Sequence, residues 1–309
     1  MRKTCLNLVY ELAKKDPRVV FVGSDLGPGV LDDMKREMPD RFFMEGVSEQ
    51  HIIGMAAGLA MEGFIPYVNT IATFITRRCY EQIAIDLCLH DLPVRLIANG
   101  GGLVYAPLGP THLATEDIAI TRTLPNMTVV APSDADEMAR FMATTLDWPH
   151  PIYIRLGKGG DPVVTGNQKT FEIGRSVTLR DGTDIQIIST GIMSGRALDA
   201  AEALSIDGIS VGVIHLPTIK PMDTVAVLLA AKSKMLVTLE EHFKAGGLGS
   251  AVSEVLIDAN QIPERGILRL GLDDTFPLNY GSQDELLEAF GLQPPGIADS
   301  IRTALNVRN

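Results

Sequence analysis

The sequence predicts an α/β fold built twice, and three observations carry that expectation. Short Val- and Ile-rich runs alternate with longer stretches of helical period, the pattern of a parallel sheet flanked by helices. The alternation lapses once, in the Gly- and Pro-containing stretch LGKGGDPVVTGNQ, and then resumes. The 309 residues, 46% hydrophobic and 21% charged, are globular in composition and enough for two cores of ordinary domain size.

In order along the chain, MRKTCLNLVYELAKKDPR spaces its apolar residues helically with charges between them, so it reads as a mature first helix rather than a leader. Strands are expected at Val19–Gly23, Ile65–Val68, Val94–Ala98, Thr128–Ala131 and Ile152–Arg155. Within Glu49–Glu62, small and apolar residues (Ile52, Ile53, Ala56, Ala57, Leu59, Ala60) surround Gly54 and Gly58. A helix with so little polar surface is expected to be buried on most sides. Its glycines cost helix propensity, which makes sense where another backbone approaches closely. Ala135–Leu146 reads as an amphipathic helix capped by Ser133 or Asp134. The first unit is expected over 1–165, a linker over 166–182 and the second unit over 183–309. The second unit should hold strands at Ile185–Thr190, Ser210–His215 and Lys234–Glu240, and helices at Gly195–Leu204, Thr224–Lys232 and Gly249–Ala259.

Composition narrows the function classes. A formal net charge of -11 with no basic tract argues against DNA and RNA partners, because the phosphate-neutralising contribution is missing. The three cysteines, Cys5, Cys79 and Cys88, have neither zinc-site spacing nor the density of a disulfide scaffold, and are expected as reduced thiols in the cytoplasm. Apolar runs such as RLIANGG and MLVTLEE fall far short of the roughly 20 residues a membrane span needs, so a soluble protein is expected. The six histidines, at 51, 90, 112, 150, 215 and 242, suggest no metal-ligand cluster.

The most specific stretch is GVSEQHIIGMAAGLAMEG, where the carboxylate of Glu49 opens a nearly all-apolar helix. A desolvated carboxylate needs a partner that rewards its position. An acidic residue favouring a helix N-terminus would explain it equally well. This stretch resembles the pyrimidine-binding segment of the transketolase family, in which a Glu of a short REH or EQH motif precedes a glycine-spaced helix. His51 follows Glu49 as in the EQH form of deoxyxylulose phosphate synthases. The resemblance implies that Glu49 bonds the aminopyrimidine of thiamine diphosphate and controls the tautomer through which the thiazolium carbon is deprotonated.

Further segments match in order, so the resemblance covers nearly the whole chain. FVGSDLGPG is similar to the segment that places Asp25 and Leu26 beside the cofactor, though its residues alone say only strand and turn. NTIATFITRRCYEQ is similar to the aromatic segment around the pyrimidine, with Phe74 and Tyr80 on two aromatic positions. Arg77 stands on a third, which is aromatic in standard transketolases and Arg in the synthases; for an isolated Phe such as Phe74 the core reading would win. Gly109-Pro110-Thr111-His112 repeats the tetrad whose histidine faces the substrate, and Glu116 follows in the matching place, where it is expected to hold the loop or contact the partner. A lone His is more often structural, but this one sits on a Gly/Pro loop after an apolar strand, where α/β sites form. PIYIRLGKGG resembles the strand whose arginine grips substrate phosphate, so the resemblance implies that Arg155 anchors an anion with its donor fork. VTLEEHFKAGGLGSAV resembles the family's carboxy-terminal domain, and no catalytic role is expected for His242 or Lys244. The implied fold is thus a pyrimidine-binding thiamine diphosphate domain followed by a transketolase C-terminal-like domain.

The chain lacks the GDG-containing segment that holds the diphosphate and its metal in transketolases. The resemblance therefore implies a split enzyme. A partner subunit would supply the ligands for Mg2+ or Ca2+, with two copies of each chain in an α2β2 heterotetramer. The substrate side departs from the family. Leu108 replaces the Asp that reads sugar hydroxyls, Gly100 replaces a phosphate-holding His, and Gly29 replaces a Ser, while Arg2 keeps a matching Arg. Losing such groups changes hydroxyl specificity. The expected reaction is two-carbon ketol transfer on a non-standard or modified sugar, phosphorylated or nucleotide-linked. The alternatives are a synthase-like or 2-oxoacid dehydrogenase β-like subunit that decarboxylates a 2-oxo acid, and a non-catalytic assembly or regulatory homologue.

Overall fold

The computed structural model describes residues 1–24 and 29–307, so Asp25 and Leu26 lie outside the described residues. Two sheets form. In the first, β1 (Val19–Gly23), β2 (Phe42–Met44), β3 (Ile65–Ile71), β4 (Arg95–Asn99), β5 (Thr128–Val130) and β6 (Ile152–Leu156) lie parallel in the order 5-6-4-3-1-2. The second unites β7 (Val177–Arg180), β8 (Ile185–Ser189), β9 (Val211–His215), β11 (Met235–Phe243) and β12 (Ile267–Leu272) in the order 12-11-8-9-7; β7 alone runs antiparallel, to β9. β10 (Thr218–Lys220) leaves the second half of the chain to pair antiparallel with β5, making the first sheet seven-stranded. Every residue of β1, β4 and β6 is buried, as expected of parallel strands covered by helices on both faces.

The hydrophobic interior divides by sheet face rather than by half of the chain. Side chains alternate along each strand: Phe21, Ile97, Ile154, Ile187 and Val237 join one cluster, while Val22, Leu96, Tyr153, Ile188 and Leu236 join the other. Both clusters run through both sheets, so the two expected units share two continuous cores instead of owning one each. Each fully buried Ile or Phe contributes about 1.5–3 kcal/mol.

The segment expected as a linker, 166–182, contains β7. The two residues just before it are tied down by Asp134, which caps the Ala135–Thr144 helix through the N–H groups of Asp136 and Glu137 at 3.0 and 2.8 Å. The other oxygen of Asp134 accepts from the Val164 and Thr165 N–H groups, both at 2.9 Å. Burial pushes this carboxyl up, but the backbone donors outweigh burial and hold it below the usual carboxylate range.

The Glu49–Met61 helix buries Ile52, Ile53, Ala56, Ala57 and Ala60 against its own chain. Its other face is open, contrary to the expectation of burial on most sides: a methyl group on Gly54 or Gly58 would meet no atom within 4 Å. Among the described residues no helix is long and apolar enough to cross a membrane.

Candidate active site

Parallel strands end on one edge of the first sheet, and the loops and helices that follow them gather there, as in other open α/β sheets. From β2 the chain turns into the Glu49–Met61 helix, from β3 into the Ala72–Arg77 helix, and from β4 into the Gly100–Glu116 loop. Glu49, Phe74 and His112 meet on this edge.

Glu49 is buried at the first turn of its helix and accepts a hydrogen bond from Arg78 Nη1 to Oε2 at 3.1 Å. The same guanidinium lies over the Phe74 ring, 4.1 Å from its centroid. On another side, His112 meets Phe74 edge-on with centroids 5.1 Å apart, while its Nδ1 shares a hydrogen bond with Thr111 Oγ1 at 2.9 Å. A buried carboxylate, an aromatic face and a histidine thus form one continuous patch. It is a fitting seat for a planar, nitrogen-bearing ring that both stacks and bonds a carboxylate. Arg78 itself, planar and cationic, demonstrates the fit.

The other expected residues fall around this patch. Arg77 points to Glu116, donating from Nη2 to Oε2 at 3.0 Å, with a second contact from Nε to Oε1, and to the Leu113 carbonyl at 3.1 Å. It therefore fastens the His112 loop to the Phe74 helix, with Glu116 in the loop-holding role. Tyr80 shares a hydrogen bond with Thr123 at 3.0 Å and is half-buried near Phe74 in sequence but bonded away from Glu49. His51 is exposed, with Nε2 3.9 Å from Glu45. Leu108 is exposed beside Gly109 on the same loop. Gly29 has φ +78, and Arg2 opens the first helix. Gly100 has φ +75, and a side chain there would collide with the Tyr105 ring, so Tyr105 fills the space that a histidine would need.

Arg155 differs most from expectation. It is buried on β6, donating from Nε to Asp117 Oδ2 at 2.8 Å and from Nη2 to the carbonyls of Ala114 at 3.2 Å and Glu241 at 2.8 Å. Tyr153 donates to the same Asp117 oxygen at 2.7 Å. Burial opposes the charge on Arg155, yet the adjoining Asp117 raises its proton affinity above that of a free arginine. Its Nε and Nη2 grip the chain's own groups.

That buried pair belongs to a polar layer between the two halves of the chain. Glu241 accepts from Leu103 N–H at 2.8 Å and from Gln283 at 2.7 Å, and the Phe243 N–H reaches the Thr115 carbonyl at 2.8 Å. His242 accepts from the Ala119 N–H at 3.2 Å, and burial pulls its pKa down. Glu240 caps the Leu248–Asp258 helix through the Leu248 and Gly249 N–H groups at 2.7 and 2.8 Å, and burial pushes its carboxyl up to about 7. Further along, His215 bridges Glu137 at 2.9 Å and Ser194 at 2.7 Å, fully buried. The second half therefore props the His112 loop from behind.

Reading the sequence missed Arg78, Asp117, Glu241 and Tyr280. Arg78 carried a local signal, its spacing of four from Phe74 on a helix. Tyr280 had none: its ring stands where a methyl group on Gly109 would fall 2.7 Å away, an approach between distant segments.

The molecule is thus an α/β protein of two open sheets, with a buried carboxylate at a helix head joined through Arg78 to an aromatic ring. The chain belongs to the transketolase family: residues 1–160 match the transketolase pyrimidine binding domain and residues 174–297 the transketolase C-terminal domain. It is 36% identical over 307 residues to one of the subunits of the apulose-4-phosphate transketolase of Phocaeicola vulgatus, covering 98% of this chain and 96% of that one. It is 38% identical over 305 residues to a 1-deoxy-D-xylulose-5-phosphate synthase of Synechococcus, covering 96% of this chain but 46% of the synthase, so it spans about half of that relative's length. A solved structure described as a split gene transketolase, an inactive beta4 tetramer, superposes with TM-score 0.90 at 35% identity, covering 100% and 99% of the two chains.

Proposed function

We propose that this chain is the C-terminal subunit of a two-chain, thiamine diphosphate-dependent transketolase that moves a two-carbon ketol unit from a ketose to an aldehyde. The observation that carries the reading is the junction of Glu49, Phe74 and His112 on one edge of the parallel sheet. Bound there, thiamine diphosphate would supply a carbon nucleophile and an electron sink for breaking the bond beside a carbonyl. Glu49 would hold the pyrimidine ring and govern the proton on its nitrogen, and Phe74 would give it a stacking face. His112, held by Thr111 and backed by Phe74, would bond substrate oxygens or carry a proton. Asp25 and Leu26 are proposed beside the ring by family likeness. Arg77 and Tyr80, bonded to Glu116 and Thr123, would keep the seat's walls in place rather than touch the ring.

The open Gly54 and Gly58 face beside Glu49 supports a second chain packing there, since a glycine face allows close backbone approach. That partner would bring the diphosphate and the ligands of Mg2+ or Ca2+, and an α2β2 assembly is the symmetric arrangement. Three buried free thiols, Cys5, Cys79 and Cys88, suit the reducing cytoplasm. For the substrate, the exposed Leu108 and the occlusion at Gly100 support a modified sugar. The apulose-4-phosphate named for the P. vulgatus relative agrees with a phosphorylated one. Arg155 is left out of its binding groups here, because it is buried and its Nε and Nη2 are bonded to Asp117 and to two backbone carbonyls.

Likeness to a deoxyxylulose phosphate synthase keeps decarboxylation of a 2-oxo acid as the second reading. The test reconstitutes the chain with the diphosphate-binding partner and follows two-carbon transfer from ketose phosphates beside carbon dioxide release from pyruvate. Transfer without carbon dioxide, abolished in Glu49→Ala, is expected. Carbon dioxide release would replace the first reading with the second, and full transfer activity in Glu49→Ala would refute a catalytic role for this site.

A further inference from the structure

We infer that Arg78 is an internal stand-in for the cofactor's pyrimidine ring, and that it sets how tightly the assembled enzyme takes thiamine diphosphate. The inference rests on the function proposed above and adds a residue to it. The guanidinium of Arg78 does two things at once: it donates to Glu49 Oε2 at 3.1 Å and it lies over Phe74 at 4.1 Å from the ring centroid. An aminopyrimidine asks for the same two partners, a carboxylate to bond and an aromatic face to stack on. Arg and ring therefore compete for one seat. His112 takes up Phe74 from another side, so Phe74 cannot turn to offer the incoming group a different surface without disturbing that contact.

The geometry also makes Arg78 displaceable. Its side chain is 46% exposed, whereas Glu49 is 4% exposed. The arginine stem can swing into solvent while the carboxylate stays fixed at the head of its helix. Neighbouring Arg77 is held by Glu116 and the Leu113 carbonyl and remains in place. With the seat empty, Arg78 partners a carboxylate that would otherwise face a low-dielectric surface without a counter-charge, and it keeps Phe74 in register. When the cofactor arrives, both contacts must break. An ion pair solvated on its arginine side and a cation–π contact are each modest, so removing the competitor should tighten cofactor binding by about 3- to 30-fold.

Calorimetric titration of thiamine diphosphate with magnesium into the reconstituted two-chain complex tests this, comparing wild type with Arg78→Ala and with Arg78→Met, which keeps the apolar stem over Phe74. Melting temperature checks that each variant is folded. The expected result is a dissociation constant about 3- to 30-fold lower in both variants, with the wild-type value falling toward theirs as salt screens the Arg78–Glu49 pair. An unchanged or weakened affinity in both folded variants overturns the stand-in role while leaving the cofactor site intact. Absence of cofactor binding by wild type and variants alike overturns the proposed function and this inference with it.

Discussion

Two regions of this molecule are built from the same residue types and behave oppositely. On the open edge of the first sheet, Glu49, Arg78 and His112 surround Phe74, with Arg78 half in solvent. Between the two halves, Asp117, Arg155, Glu240, Glu241 and His242 are sealed away from water and hold one another and the backbone. A buried arginine bonded through Nε and Nη2 to the chain's own groups is a structural pin. One that is half-exposed and rests on a single carboxylate and a ring is replaceable. What a charged residue does here is decided by whether its partners are already inside the chain.

Substitutions in the two regions should therefore separate cleanly. The largest effect is expected from Glu49→Ala, which should lower turnover of the reconstituted enzyme by about 10²- to 10⁴-fold while leaving the melting temperature of this chain nearly unchanged. A large loss of stability instead would move Glu49 into the structural class. Asp117→Asn removes the carboxylate bonded to the buried Arg155 and should cost about 3–5 kcal/mol in denaturant unfolding. A cost below about 1 kcal/mol would show that water reaches this layer. Asp134→Ala removes a helix cap and the tether to Thr165 and should cost about 1–2 kcal/mol in the same measurement.

The last effect concerns pH. Glu240 titrates at about 7 in the fold against 4.5 as an ordinary carboxyl, so between these values the folded state binds more protons than the unfolded one. Stability should therefore fall as pH rises through that window, by at most about 1.4 kcal/mol per unit. Glu240→Gln should flatten this part of a pH series of unfolding curves, and an unaltered slope would assign it to other groups.

The sequence was legible where one strand or one motif carries its own signal. Val19–Gly23 matches β1 end to end because all five residues are buried and apolar. Glu49 and His112 stood out because each sits in a short, specific motif. β2 and β10, three residues each, are too short to show a period, and β7 and β12 are only partly buried, so their alternation is weak. The widened helical turn over Ile83–Leu89 has no signature in residue type. Partners set by tertiary approach stayed hidden: Arg78 is 29 residues from Glu49, and Arg155 is 38 from Asp117. Arg155 read as an anion anchor through its resemblance to a family strand. Its guanidinium was visible in the sequence and the carboxylate bonded to its Nε was not.

The most direct test of a site shared between two chains is calorimetry of thiamine diphosphate with magnesium on three samples: this chain alone, the chain with its diphosphate-binding partner, and the same complex carrying Glu49→Ala. Tight binding by the two-chain complex alone, with turnover lost in the Glu49 variant, is the predicted result. Tight binding by this chain without a partner, or no binding by a verified complex, would contradict it.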